Sequence, residues 1–379
     1  MKVLYISNYK DGTGWGNAAA DYILAMDTAG IDVVCRSISF NGEKGEVHPR
    51  ILELERKSTR HSDVCIQHLL PHMLDYNGRF KKNIILYETE TSNFTSSRWA
   101  EYINTMDEAW VVNSQMERAS VDSGVDVPIK MIPHTFDTSK YDKSYDLLDI
   151  PHMDTSGNRF VFYFIGEAVR RKNLFALLKA FHLEFDFDEP VDLIIKANKS
   201  GMNDQECGNY VTDLCTTVKE NLKLYPTKEA YKSEFITTGF IDNDKLMRFH
   251  RTMNCFIMPS YGEAWCLPAF DAMAMGNTPI CTNTGGMADF LESGGGVLVD
   301  GVLEPAFGMT ETFQDLYTGR EDCVSINVRL LQKAMRKMYY LASNSDGEYL
   351  DLQKKGREVA EKYSYESIGN RIKEALDVN

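Results

Sequence analysis

Short apolar runs that alternate with helix-like segments constrain the fold of this chain more than any other feature. Strands of this kind, each followed by a helix, are typical of a parallel sheet covered by helices on both faces. The first series of strand-like runs comprises Val3–Ser7, Ile31–Ser37, Val64–Gln67, Asn83–Tyr87, Glu108–Asn113 and Lys130–Pro133. The second series comprises Phe160–Ile165, Val191–Lys196, Phe235–Thr237, Cys255–Met258, Thr278–Thr282 and Gly296–Val299. The sequence therefore predicts two α/β domains in tandem.

A polar segment, Asp137–Arg159, separates the two series. It contains Asp, Ser, Pro and Gly and shows no sustained hydrophobic periodicity, so we interpret it as a linker. This predicts a first domain over residues 1–150, a second over 159–355 and a C-terminal helical segment over 356–379. Open α/β sheets bind ligands beyond the carboxyl ends of their strands, so two such domains suit a reaction between two substrates.

The composition narrows the range of partners. A chain of 379 residues is long enough for two α/β domains of ordinary size. Its formal net charge of −14 argues against broad binding to nucleic acid or to an anionic membrane surface, while local peripheral contact with a membrane stays open. A substrate that carries phosphate would therefore need a local basic cluster.

The cysteines and the N-terminus indicate the compartment. None of the 8 cysteines forms a CxxC pair, so we interpret them as reduced core residues rather than a disulfide framework or zinc site. The opening residues MKVLYISNYKDGTG read as a first strand and not as a signal peptide. No stretch approaches the roughly 18 apolar residues of a membrane span. We expect a soluble, cytoplasmic protein.

The most informative stretch is Pro259–Gly276, which follows an apolar strand and opens a helix at about Leu267. Glu263 is placed in the loop after the strand, and Asp271 about one turn into the helix. A helix N-terminus favours a bound phosphate, and two carboxylates beside it can accept hydrogen bonds from sugar hydroxyls. The alternative is that both acids merely complement the helix dipole.

This stretch is similar to the Glu-x7-Glu signature of retaining glycosyltransferases of family 4, which have the GT-B fold. The matching positions are Glu263, Leu267, Pro268, Ala272, Met273, Ala274, Gly276 and Pro279. The resemblance implies two Rossmann-like domains facing across a cleft, with the C-terminal helix crossing back to the first domain. It also implies that Glu263 contacts the donor sugar and that residue 271 holds the nucleotide ribose.

The chain departs from the family signature at two places. The second carboxylate is Asp271, which is one methylene shorter than the usual Glu. The usual Gly-Phe-Gly after the first Glu is replaced by Ala264, Trp265 and Cys266, which are bulkier beside the sugar. The resemblance still implies that these three residues and Leu267 line the donor site.

A basic turn, Arg170-Arg171-Lys172, directly follows the first strand of the second domain. Arginine recognises phosphate with two hydrogen bonds and lysine as a point charge, so the turn can stabilise a departing diphosphate. The alternative is a solvated basic turn. The resembling family carries an Arg and a Lys here, and Glu167 stands where its usual Arg follows the glycine. We favour Arg171 and Lys172 for this role, with Arg170 as a third candidate.

Glycine-containing loops supply further candidates for donor binding. Gly12, Gly14 and Gly16 follow the first strand, where glycine lets the backbone approach a phosphate or a sugar closely. Their G-x-G-x-G spacing departs from a dinucleotide fingerprint, and a simple tight turn is the alternative. Gly239 and Phe240 resemble the base-binding loop of the family. Asn283-Thr-Gly-Gly286 resembles its phosphate-side loop.

Four residues at strand ends of the first domain are further candidates for lining the cleft. His68 follows one strand and His134 lies in a segment that resembles the family's I-P-N-G-V-D, although a lone histidine is more often structural. Glu88 and Glu90 follow another strand, where some relatives place an acidic residue near the transferred sugar.

Two D-x-D tripeptides imitate a metal-binding motif. They begin at Asp186 and Asp242. Both look like polar turns or helix starts, so we predict no metal site and no cofactor.

Taken with these features, the resemblance implies a retaining, metal-independent hexosyltransferase. The donor would be a nucleotide-diphosphate sugar, most commonly of uridine or guanosine, and the acceptor a glycan, lipid or small molecule. The alternatives are an epimerase or hydrolase of sugar nucleotides on the same fold and a nucleotide-sugar binding protein without catalysis. An oxidoreductase that uses a dinucleotide is disfavoured by the imperfect glycine turn.

Overall fold

The computed structural model describes residues 1–40, 45–154, 158–309, 316–344 and 347–376. Contacts between Cα atoms divide the chain into two compact units. Unit 1 comprises Met1–Lys140, Phe313–Asp322 and Glu361–Asn379, and unit 2 comprises Tyr141–Thr312 and Cys323–Ala360. Each unit contains one six-stranded sheet.

The sheet of unit 1 is parallel, and its strands are arranged in the order β2-β1-β3-β4-β5-β6. Its strands are β1 (Lys2–Ser7), β2 (Asp32–Ser37), β3 (Val64–His68), β4 (Lys82–Leu86), β5 (Glu108–Val111) and β6 (Ile129–Met131). Most of their side chains are buried on both faces, as is usual for parallel sheets. Because all six strands run the same way, the residues that follow them meet at one edge of the sheet.

The helices of unit 1 include the last helix of the chain. They are α1 (Gly14–Thr28), α2 (Pro49–Glu55), α3 (Trp99–Ile103), α4 (Ser114–Asp122) and α12 (Tyr365–Ala375). Helix α12 packs on α1, where a Cβ atom on Gly369 would lie 2.3 Å from the carbonyl oxygen of Ala25. This glycine therefore allows the two helices to approach closely, and α12 belongs to unit 1.

The sheet of unit 2 is also parallel, in the order β12-β11-β10-β7-β8-β9. Its strands are β7 (Phe160–Glu167), β8 (Val191–Asn198), β9 (Glu234–Thr238), β10 (Cys255–Met258), β11 (Ile280–Thr282) and β12 (Val297–Val299). A separate two-stranded sheet is formed by β13 (Gly301–Pro305) and β14 (Asp322–Ile326). The central strand β7 is buried along most of its length.

Several helices of unit 2 begin at recognisable caps, and the helices of this unit have the following bounds. They are α5 (Leu174–Glu184), α6 (Asp204–Leu222), α7 (Asn243–Thr252), α8 (Leu267–Ala274), α9 (Gly285–Glu292), α10 (Val328–Ser343) and α11 (Gly347–Glu361). Asn203 and Glu206 form a capping box at the start of α6, which satisfies two backbone donors reciprocally. Asp242 caps α7 by accepting a hydrogen bond from the amide of Lys245.

The predicted fold class, an α/β chain with two parallel sheets in tandem, is confirmed. All eight cysteines are buried, and none forms a disulfide in the part of the chain that the structure describes. Within the same ranges, no helix is long and apolar enough to cross a membrane.

Candidate functional site

The loop between β10 and α8 carries the acidic residue that the sequence singles out. Glu263 lies in this loop, and only 5% of the residue is exposed. Helix α8 begins at Leu267, so Asp271 follows one turn later. Strands β10 and β7 are neighbours, and the loop therefore starts beside the turn that follows β7.

Cys266 has an unusual backbone conformation at the start of α8. Its φ of 76° lies in the left-handed region, which costs a non-glycine residue about 1–3 kcal/mol. Its carbonyl oxygen accepts hydrogen bonds from the amides of Ala269 and Phe270, which closes the first turn. The position needs glycine-like freedom, which accounts for the glycine that the resembling signature carries there.

Two cations converge on Glu263. The turn Arg170–Lys172 follows β7 directly, and from it Arg171 Nη1 lies 2.8 Å from Glu263 Oε1. Lys172 Nζ lies 2.8 Å from Glu263 Oε2. Arg171 Nη1 also donates to the carbonyl oxygen of Gly262 at 2.7 Å, so the arginine is tied to the loop as well as to the carboxylate.

The positive charges of this cluster outnumber its negative charge. Burial by itself would raise the pKa of Glu263, but the charges and hydrogen bonds of Arg171 and Lys172 outweigh it and hold the pKa below its ordinary value. Glu263 is therefore ionised at neutral pH, and the three groups together carry one surplus positive charge. A partly buried surplus of this kind suits an anionic ligand such as a diphosphate.

The third cation of the turn points elsewhere. Arg170 Nε donates to the carbonyl oxygen of Phe307 at 2.8 Å, and its side chain is exposed. A Cβ atom on Gly308 would come within 2.9 Å of Arg170 Nε. Arg170 thus contacts the segment after β13, whereas Arg171 and Lys172 contact Glu263.

Two glycines at the start of α9 hold the Glu263 loop by close backbone packing. A Cβ atom on Gly285 would lie 1.8 Å from the carbonyl oxygen of Glu263, and one on Gly286 would lie 2.5 Å from that of Ala264. The amide of Gly286 donates to the Glu263 carbonyl at 3.3 Å. The sequence pattern associated this loop with phosphate, and its Gly-Gly pair is the signal for the tight packing that the structure reveals.

Asp271 has a partner that sequence reasoning missed. Its Oδ1 accepts a hydrogen bond of 2.6 Å from the hydroxyl of Tyr141, and both residues are buried. Tyr141 lies in the polar segment Asp137–Arg159, which was predicted to be a linker. Nothing in that polar segment marks this tyrosine, because its partner lies 130 residues further along the chain.

The residues that replace Gly-Phe-Gly form part of the core of unit 2. Trp265 is 2% exposed and packs against Phe270 and Phe290. Ala264 and Cys266 are also buried, while Leu267 is half-buried at the first position of α8. Any contact of Ala264, Trp265 or Cys266 with a donor would therefore use their backbone groups.

Gly239 and Phe240 follow β9. Gly239 has a φ of 85°, and a Cβ atom there would lie 2.5 Å from Asp204 Oδ2. Phe240 is 82% exposed, so its ring is accessible for stacking against a planar group.

The glycines of the first unit shape the turn that opens α1. Thr13 caps the helix by accepting a hydrogen bond from the amide of Gly16, where a Cβ atom would lie 2.1 Å from the carbonyl oxygen of Asp11. Gly14 is exposed at the first position of α1, and Gly12 is approached closely by Gly45. Gly12 and Gly16 therefore have internal packing roles, while Gly14 faces solvent.

Three of the four first-unit candidates come together. His134 Nε2 lies 3.0 Å from Glu88 Oε1, and His68 Nε2 lies 3.6 Å from the same oxygen. Glu90 does not join them, because it accepts a hydrogen bond from the hydroxyl of Tyr317. The cluster forms because β3, β4 and β6 end at the same edge of the sheet.

The two D-x-D tripeptides have structural roles. Asp186 accepts a hydrogen bond from the hydroxyl of Tyr225, and Asp242 is the cap of α7. Among the described residues, no group of three or more His, Cys, Asp or Glu side chains is arranged to hold a metal ion.

The comparison with protein families addresses the second unit. Residues 151–307 match the family described as glycosyl transferases group 1. This range contains Glu263, Arg171, Lys172 and Asp271. No curated protein matches the chain significantly.

Solved structures of similar fold cover the whole chain. Sucrose-phosphate synthase from Thermosynechococcus elongatus aligns with a TM-score of 0.65 at 14% identity, over 100% of this chain and 98% of its own. Anabaena HepE in complex with UDP-glucose aligns with a TM-score of 0.65 at 12% identity, over 100% of both chains. Trehalose-6-phosphate synthase OtsA aligns with a TM-score of 0.67 at 10% identity, over 100% of this chain and 99% of its own.

At these identities the likeness shows the fold, and it confirms the predicted GT-B class. The family match concerns residues 151–307 alone, whereas the likeness of fold extends over the whole chain.

Proposed function

We propose that this protein transfers a hexose from a nucleoside diphosphate sugar to an acceptor, with retention of the anomeric configuration and without a metal ion. The observation that carries the proposal is the buried cluster of Glu263, Arg171 and Lys172 at the ends of β10 and β7. It lies in the range that matches the glycosyl transferases group 1 family.

The two cations and the carboxylate of this cluster can have different functions. Arg171 and Lys172 bind the diphosphate and stabilise the negative charge that grows on it as the sugar departs. When the cations turn to the diphosphate, the carboxylate of Glu263 becomes available to accept hydrogen bonds from the sugar hydroxyls. Retention is the stereochemistry implied by the resemblance of Glu263 and Asp271 to the signature of family 4.

A uridine nucleotide is the donor that we propose first. HepE was crystallised with UDP-glucose, and another fold neighbour of Escherichia coli with UDP-2-fluoro glucose. The exposed ring of Phe240 at the end of β9 supplies a surface for the base, and Asp271 a carboxylate for the ribose. We propose accordingly that residues 159–355 bind the donor and residues 1–150 the acceptor, with 356–379 packed on the latter.

The proposal is tested by incubating the protein with UDP-glucose, GDP-mannose and ADP-glucose in turn, with and without a panel of methyl glycosides. Thermal shift reports binding, mass spectrometry reports the glycosylated product, and proton NMR of the product reports the anomeric configuration. We expect one nucleotide family to raise the melting temperature and its sugar to appear on an acceptor as the α-anomer. EDTA is expected to leave the rate unchanged.

The alternatives give different patterns in the same assay. An epimerase or hydrolase would consume the donor at the same rate with and without acceptor. A binding protein without catalysis would raise the melting temperature and release no nucleotide. A β-linked product would contradict retention, and a melting temperature that responds to no nucleotide sugar would contradict the function itself.

The proposed contact between Asp271 and the ribose predicts how a substitution of Asp271 changes UDP affinity. Asp271→Asn is expected to weaken UDP binding by roughly tenfold, because the amide loses the charge that strengthens a hydrogen bond to a ribose hydroxyl. Tyr141→Phe removes the hydrogen bond to Asp271 and should lower the unfolding free energy by about 1 kcal/mol with a smaller effect on UDP affinity. Calorimetric titration with UDP and denaturant unfolding measure the two quantities.

The pair of variants separates two roles for Asp271. If both variants reduce stability equally and neither changes UDP affinity, Asp271 is a structural partner of Tyr141 and does not bind the ribose.

A further inference from the structure

Unit 1 contains a second cluster of polar and aromatic side chains, at the ends of β1, β3, β4 and β6. Glu88 is held between His134 and His68, as described above. The hydroxyl of Tyr5 forms a hydrogen bond of 2.8 Å with His68 Nδ1. The ring of Trp15, from the glycine turn, lies over His68 with a distance of 5.4 Å between the ring centres.

Several buried polar atoms at this edge have no hydrogen-bond partner within the ranges that the structure describes. They are Ser7 Oγ, Asn8 Oδ1, Trp15 Nε1 and His68 Nε2. Ser7, Asn8 and His68 are fully buried, and β1 and β3 are adjacent strands. Leaving such groups unpaired costs free energy, and native proteins pair nearly all of them. The unpaired atoms therefore point to a polar ligand at this edge of the sheet.

The cluster combines the two surfaces that a sugar presents. Glu88 is an acceptor of hydroxyl hydrogen bonds, and each imidazole can donate or accept one. The indole of Trp15 is partly exposed and is held edge-on by Phe40, so a flat apolar face stands beside the polar groups. Sites for small polar ligands commonly join an aromatic wall to a few placed polar groups.

The charges of the cluster discriminate between acceptors. Burial alone would raise the pKa of Glu88, but the adjacent histidines, chiefly His134, hold it well below its ordinary range. Burial lowers the pKa of His68, and Glu88 only partly opposes this. At neutral pH the cluster thus contains an ionised carboxylate and a neutral His68.

No lysine or arginine in the described part of unit 1 pairs with Glu88, because both of its ion-pair partners are histidines. Unit 2 offers the contrast, since its carboxylate Glu263 is flanked by Arg171 and Lys172. A phosphate group brought beside Glu88 would meet its negative charge with no lysine or arginine paired to that carboxylate to offset the repulsion.

We propose that Trp15, His68 and Glu88 bind the acceptor and that this acceptor is an uncharged sugar rather than a sugar phosphate. The inference rests on the proposed glycosyl transfer and names the acceptor class for it. Glu88 accepts hydrogen bonds from two sugar hydroxyls, Trp15 covers the apolar face of the ring, and His68 Nε2 pairs with a further hydroxyl.

The test compares methyl glucoside, methyl mannoside and methyl galactoside with glucose 6-phosphate. Binding is measured by saturation-transfer NMR without donor, and turnover by product formation with the donor that the nucleotide panel identifies. We expect at least one methyl glycoside to bind and to have a kcat/KM at least tenfold above that of glucose 6-phosphate.

Two variants test which side chains bind the acceptor and which cause the discrimination against the sugar phosphate. Glu88→Gln is expected to raise the acceptor KM about tenfold, to leave the donor KM unchanged and to reduce the discrimination against glucose 6-phosphate to less than threefold. Trp15→Leu should weaken the binding of all the sugars equally, because it removes the aromatic ring and no charge. The preference for methyl glycosides over glucose 6-phosphate should therefore stay the same. Glu101→Gln, on an exposed carboxylate paired with Arg98, is the matched control and should change neither quantity.

Several results would overturn the inference. These are a preference of the wild-type protein for glucose 6-phosphate, binding of none of the methyl glycosides, or an unchanged acceptor KM in Glu88→Gln. If Glu88→Gln fails to fold, the wild-type preference and Trp15→Leu decide the matter. Failure of the glycosyl transfer itself would look different, because methyl glycosides would still give saturation-transfer signals while no nucleotide sugar bound or was consumed.

Discussion

Replacing Glu263 by glutamine is expected to reduce sugar transfer by roughly a hundred- to a thousand-fold, the range for loss of one polar group aimed at the reacting centre. Glutamine is nearly isosteric but cannot carry the negative charge that pairs with Arg171 and Lys172. The affinity for UDP is expected to stay the same or to rise. In the protein without ligand, both cations are engaged by Glu263, and the diphosphate must compete with this carboxylate for them.

The combination of lost transfer and retained UDP binding distinguishes an active-site carboxylate from a merely structural one. Initial rates with saturating donor give the transfer, calorimetric titration gives the UDP affinity, and circular dichroism verifies the fold. Glu220→Gln is the matched control, because Glu220 pairs with Lys228 on the surface of the same unit and should affect neither measurement. Full activity of Glu263→Gln would exclude Glu263 from contact with the transferred sugar.

Gly285→Ala is expected to lower the unfolding free energy by at least about 2 kcal/mol and to abolish most of the transfer activity. The residue has a φ of 57°, and its Cβ atom would lie 1.8 Å from the carbonyl oxygen of Glu263. Because the obstacle is backbone, relief requires the loop that carries Glu263 to move. The change therefore acts on the position of the catalytic candidate as well as on stability.

Gly201→Ala separates the two components of this effect. Gly201 also has a positive φ, 78°, but among the described residues no atom beyond its chain neighbours lies within 4 Å of its Cβ position. It should cost only the conformational penalty of about 1 kcal/mol and leave transfer unchanged. Chemical denaturation and initial rates of both variants give the comparison, and equal losses in the two proteins would show that the contact with Glu263 is unimportant.

The strands and helices were predictable because hydrophobic periodicity is local. Runs such as Phe160–Ile165 and Val191–Lys196 are apolar throughout because their side chains are buried on both faces of a parallel sheet, and this leaves a mark that can be read without tertiary contacts. The start of α8 at Leu267 was similarly marked by the change from loop to helix pattern.

The arrangement of the candidate site was predictable in part. The spacing of Glu263 and Asp271 is fixed by one loop and one helix, so a linear motif captures it. The choice among Arg170, Arg171 and Lys172 is different, because all three are adjacent cations in the sequence. Only the direction in which the turn presents each side chain decides that Arg171 and Lys172 meet Glu263 while Arg170 meets Phe307.

Other features depended entirely on contacts between distant residues. The bond between Tyr141 and Asp271 joins a polar segment to a helix, and the burial of Trp265 depends on Phe270 and Phe290. In the sequence, His68, Glu88 and His134 stood out only as separate candidates. They come together only because the order of the strands places the ends of β3, β4 and β6 at one edge of the sheet.

The sequence by itself thus determined the fold class, the positions of most elements and the motif at Glu263, because each leaves a pattern within a few residues or a few turns. The tertiary structure alone decided which cations face that carboxylate, which glycines pack against its loop and which polar groups gather in the first unit. These depend on the direction of side chains and on strand order, and neither property is encoded in the spacing of residues along the chain.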